Sequence, residues 1–93
     1  MSISIKKLSD DVFDVTVAKT STTTHTVTVT DQSLTDLTDS NVTKTHLLEF
    51  SFKFLLEREP NTSILSLFEI NIISKNFSNH KDEVRRWCDE SQN

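Results

Sequence analysis

The chain has 93 residues, with no glycine and a single cysteine, and its ten basic and fourteen acidic side chains give a net charge of −4. That length allows one domain, residues 1–93, and leaves no room for separate cofactor and substrate domains. Without glycine, phosphate loops, dinucleotide fingerprints and the strained nucleophile turn of serine hydrolases are excluded, because each needs a backbone path that a Cβ obstructs.

Leu, Ile, Val and Phe together number 28 of the 93 residues, above the level that marks disorder, so the chain is expected to fold. Residues 1–30 are neutral, residues 31–60 carry −3 and residues 61–93 carry −1, so no segment is a basic arm. That distribution disfavours nucleic acid without excluding a local patch. Cys88 alone forms no intrachain disulfide and completes no cysteine-based zinc site, which fits a reducing, cytoplasmic setting. No stretch approaches the ~18 apolar residues that span a bilayer, and no membrane association is expected.

Residues 1–30 alternate apolar and polar with period two, placing Ile3 and Ile5, then Phe13, Val15 and Val17, then Val27 and Val29 on one face of a three-stranded antiparallel meander. Pairing Ile3 with Val17 and Ile5 with Val15 leaves Ser9-Asp10-Asp11 as a loop. Continuing that face sets Val17 opposite His25, Val15 opposite Val27 and Phe13 opposite Val29, with the second loop around Thr20-Ser21-Thr22. Residues 31–93 form the helical part. Asp31 to Leu34 open a short turn, and Ser40 or Asn41 caps a long helix over residues 41–59 that Pro60 ends. Its apolar arc takes in Leu47, Leu48, Phe52, Leu55 and Leu56 and is widened by Phe50 and Phe54, leaving His46, Glu49, Lys53 and Glu57 as a polar strip. An arc that wide exceeds what one small sheet covers. Short helices are expected over residues 62–67 and 70–77, and an amphipathic one over residues 80–90 with Val84, Trp87 and Cys88 as its stripe. The fold class is therefore α+β: a three-stranded meander, one long helix and two to three short ones.

The string SFKFLLEREPNTSIL at residues 51–65, followed by Phe68, Ile73 and Phe77, resembles a family of small uncharacterised bacterial proteins with an SFxFLLEREPxxSIL-type motif. The resemblance covers about the middle third of the chain and implies no catalytic residue. The chain departs from the pattern at Glu69, where an Asp-type cap is expected, and at Ser78, where a proline is expected.

The chemistry-bearing constellations favour surfaces over catalysis. His46-x-x-Glu49 supplies two ligands of a metal site, but the i, i+4 series Glu49-Lys53-Glu57 is what a solvated helix face carries, so neither metal nor cofactor is expected. Arg58 is placed to neutralise terminal carbonyls and to tie the long helix to the segment after Pro60 or to a second chain. His25 reads as a core-rim histidine satisfied by a carbonyl, and Cys88 as a small buried hydrophobe. No serine or threonine stands in a triad. The expectation is a non-enzymatic interaction or assembly module, a homodimer through Phe50, Phe54 and Arg58 or through the open sheet edge. The alternative is a small nucleic-acid-associated regulator that uses the helix pair at 62–77 with Lys75, Arg85 and Arg86.

Overall fold

The computed structural model describes residues 2–38 and 42–91 and has an α+β architecture. In chain order it comprises β1 (Ser2–Lys7), β2 (Val12–Ala18), β3 (Thr22–Thr28), α1 (Asp31–Thr38), α2 (Lys44–Leu56), a 3-10 turn (Asn61–Ser63), β4 (Leu67–Glu69), α3 (Asn71–Asn76) and α4 (His80–Ser91). The sheet has four strands in sequence order, with β4 parallel to β3 and the other neighbours antiparallel.

The first hairpin has the expected register, Ile3 opposite Val17 and Ile5 opposite Val15, closed by Leu8 N–H donating to Val12 O at 2.8 Å. The second differs by two residues: Val17 faces Thr23, Val15 faces His25 and Phe13 faces Val27. A tighter turn through Lys19, Thr20 and Ser21 sets this register, with Lys19 N–H donating to Ser21 O. A shift of two keeps every side chain on its face. Phe13, Val15, Val17 and Val27 are accordingly buried, while Thr22, Thr24, Thr26 and Thr28 line the outer face. There Thr26 donates to Asp14 Oδ1 at 2.8 Å.

Three expectations for the helical part are corrected. The opening turn extends into α1, because Thr30 caps it, accepting from Ser33 N–H at 3.1 Å, and buried Leu37 anchors its last turn. The long helix is shorter than residues 41–59: Thr43 is the N-cap, its hydroxyl accepting from His46 N–H at 3.1 Å, and the helix ends at Leu56. The expected caps Ser40 and Asn41 lie outside the described residues. Residues 62–67 are no helix. After the single 3-10 turn the chain runs extended into β4, adding a fourth strand. The α3 and α4 segments form where the periodicity places them, and Val84 and Cys88 are buried with Trp87 partly so.

The core lies between one face of the sheet and the helices, with α2 against β1 and α4 packing on both α1 and α2. The wide apolar arc of α2 is thereby covered from two sides. Leu47, Leu48, Phe52, Phe54 and Leu55 are all buried, and only Phe50 and Leu56 are partly exposed.

Candidate interaction surface

The residues expected at an interface do not form one patch. Phe54 is 4% exposed, with its ring edge-on to Phe77 at 6.0 Å and to His80 at 5.1 Å. Its position is a correction to the expected interface, since α3 and α4 supply the cover that the sheet alone lacks. Phe50 stacks on Trp87 at 4.8 Å with planes 18° apart, so most of its ring is satisfied within the chain. Arg58 turns back on its own helix rather than reaching past Pro60: Nη1 donates to Phe54 O at 2.9 Å and Cζ sits 3.6 Å over the Phe54 ring. It neutralises a terminal carbonyl and caps an aromatic face.

The nucleic-acid alternative loses its scaffold, because the first member of the expected helix pair is a 3-10 turn followed by β4. Lys75 is exposed on α3, Arg85 donates to Asp36 O at 3.4 Å, and Arg86 pairs with Glu83 at 3.3 Å. His46 and Glu49 stay on the solvated strip, and no group of three or more His, Cys, Asp or Glu among the described residues could hold a metal ion. No helix among them is long and apolar enough to cross a membrane.

Two histidines that face inward serve the framework. His25, 2% exposed, places Nδ1 2.8 Å from Leu65 O, and since a carbonyl only accepts, Nδ1 carries the proton. Nε2 meets the Thr23 hydroxyl at 2.8 Å, and Thr23 Oγ1 in turn accepts from Asn61 Nδ2 at 2.9 Å. The Asn61 amide also donates to Ser21 O and Val17 O. These bonds hold the segment after Pro60 against β3 and bring Phe68 beside Val27. His80, fully buried at the start of α4, joins Ser51 of α2 through Nε2 at 3.0 Å and Ser74 of α3 through Nδ1 at 2.8 Å. Burial, with the Arg58 guanidinium nearby, pushes its pKa down to about 4, so the ring is neutral at pH 7. A serine beside a neutral imidazole has the ingredients of a nucleophile–base pair, yet Ser51 and His80 are both sealed from solvent. The arrangement pins three helices together.

What remains open is the β4 side of the sheet. Leu67 is 71% exposed and Leu65 56%, the two most exposed large hydrophobic side chains among the described residues. Thr26 N–H donates to Ser66 O and Ile70 N–H to Thr28 O, so Ser66, Phe68 and Ile70 turn their backbone groups toward β3. By alternation the N–H and C=O groups of Leu67 and Glu69 point away from the sheet. Beside this edge lies a groove of about 310 Å³ lined chiefly by Leu55, Ile64, Phe68, Ile72, Ile73 and Phe77, with Glu59 its only charged residue among those described. Periodicity missed this surface because the short apolar run around Ile64, Leu65 and Leu67 fits a helix as well as a strand. The alternation across Leu67, Phe68, Glu69 and Ile70, with Phe68 and Ile70 buried, was the available signal. At the opposite edge, β1 ends in exposed Lys6 and Lys7 and turns Ile3 and Ile5 partly inward.

Comparison of the chain with protein-family models, curated proteins and solved structures finds no match.

Proposed function

We propose that the chain is a non-enzymatic interaction module whose contact surface is the β4 edge and the groove beside it. One observation carries the reading: an open strand edge flanked by Leu65 and Leu67 runs alongside an apolar groove, while the aromatic side chains of α2 are engaged in internal packing. Unpaired strand groups supply affinity and the neighbouring pocket supplies selectivity, the usual division of labour when a sheet accepts another strand. The sealed state of the Ser51–His80 pair supports a binding role over a catalytic one.

A Leu65→Ser, Leu67→Thr double variant tests this, since both positions are exposed and the changes leave the core intact. Wild type is expected to form complexes, with itself in light scattering or with another protein in affinity capture, that the variant loses at an unchanged melting temperature. Complexes that persist in the variant would overturn the assignment of the surface.

A further inference from the structure

We infer that the occupant of this edge is a second copy of the chain, paired antiparallel through β4 about a two-fold axis at Phe68, so that two four-stranded sheets become one continuous sheet. The inference rests on the interaction reading above and deepens it. The outward groups of β4 sit at Leu67 and Glu69, symmetrically on either side of Phe68. Setting Leu67 opposite the partner's Glu69, and Glu69 opposite the partner's Leu67, makes both hydrogen-bonded pairs at once and uses all the outward groups of each strand. Other registers do worse. Setting Leu67 against the partner's Leu67 would bring Glu69 against Leu65, whose carbonyl His25 already occupies. Setting Glu69 against the partner's Glu69 places like charges directly opposite.

In the favoured register the exposed Leu67 side chains approach diagonally on the outer face, within reach of one another. The grooves lined by Phe68 and Ile72 meet on the inner face. The β1 edge offers no equivalent, being blunted by Lys6 and Lys7, so assembly closes at two copies instead of propagating. Each copy carries −4, so association strengthens as salt screens that repulsion.

Sedimentation equilibrium on the full chain tests the inference alongside oxidative cross-linking. Wild type is expected to be a dimer at high concentration, more so in added salt. Leu67→Glu, which sets a carboxylate directly opposite the partner's Glu69 on both sides of the axis, is expected to weaken it by roughly tenfold or more. A Leu67→Cys, Glu69→Cys variant is expected to form disulfide-linked dimers, because opposed residues lie about 5.5 Å apart at Cα, within disulfide range. Leu67→Cys alone is expected to cross-link far less. Efficient cross-linking by the single variant overturns the register, and a dimer indifferent to Leu67→Glu, or growth into filaments, overturns the β4 pairing. A wild type monomeric at every concentration overturns the second-copy inference. If a complex with another protein is then still lost in the Leu65→Ser, Leu67→Thr variant, the interaction reading stands without it.

Discussion

His80 shows how much a single buried ring contributes. Its pKa lies near 4 in the folded chain against an ordinary 6.5, so the folded state binds fewer protons between those values. Stability is therefore complete above pH 6.5 and declines as pH falls through the window to 4, by an amount on the order of 3 kcal/mol for a shift of that size. Urea denaturation at pH 7 and at about pH 4.5 should show that decline, and His80→Gln should flatten it; a midpoint independent of pH would count against a buried neutral ring. Asn61 is the second such residue. It is 4% exposed, and its amide reaches Val17 O, Ser21 O and Thr23 Oγ1, so Asn61→Ala strands those acceptors. The expected cost is about 1–3 kcal/mol in chemical denaturation. Neither role was legible in the sequence, because a histidine or asparagine gains its partners from strands and helices some thirty or forty positions away.

At the scale of elements, period-two alternation located β1, β2 and β3 with their faces, and 3.6-residue spacing located α2, α3 and α4. The errors fall where a local pattern meets a distant constraint. The β2–β3 register followed the tighter turn, and residues 64–69 became extended because His25 and Asn61 hold them beside β3. The arc of α2 was read as too wide for the sheet, and beyond the expected stripe of Trp87, which stacks on Phe50, the part played by Phe77 and His80 against Phe54 was not foreseen. Phe54→Ala is accordingly expected to cost about 3–5 kcal/mol in the monomer, with Phe54→Leu milder, as for any large core ring. A melting temperature that Phe54→Ala left untouched would return this side chain to the surface. Lys44, at the start of α2, joins that helix to the first hairpin and to α1, with Nζ 2.8 Å from both Asp11 and Asp31. Its hydrogen bond and its charge hold the Asp31 carboxyl below its ordinary pKa. Lys44→Met is expected to lower the urea midpoint, by an amount that shrinks in high salt.

Across the whole molecule, the described helices lie on one side of the sheet or at its end, and the threonine-rich side is left to water. The α+β class was legible from composition and periodicity. The fourth strand was not, and with it went the candidate surface, since β4 exists only once the chain has returned across the sheet. That return joins β3 to a parallel neighbour through α1, α2 and the 3-10 turn. The two hairpins can zip from adjacent turns, whereas the last ladder must wait for roughly forty intervening residues to be placed, and the entropy of closing a loop that long is lost before any contact offsets it. Strand order in time thus mirrors strand order in space. In native-state hydrogen exchange the Thr26 and Thr28 amides, which face β4, should open in a smaller excursion than the amides joining β2 to β1, so the strand that joins the sheet last is also the first to leave it.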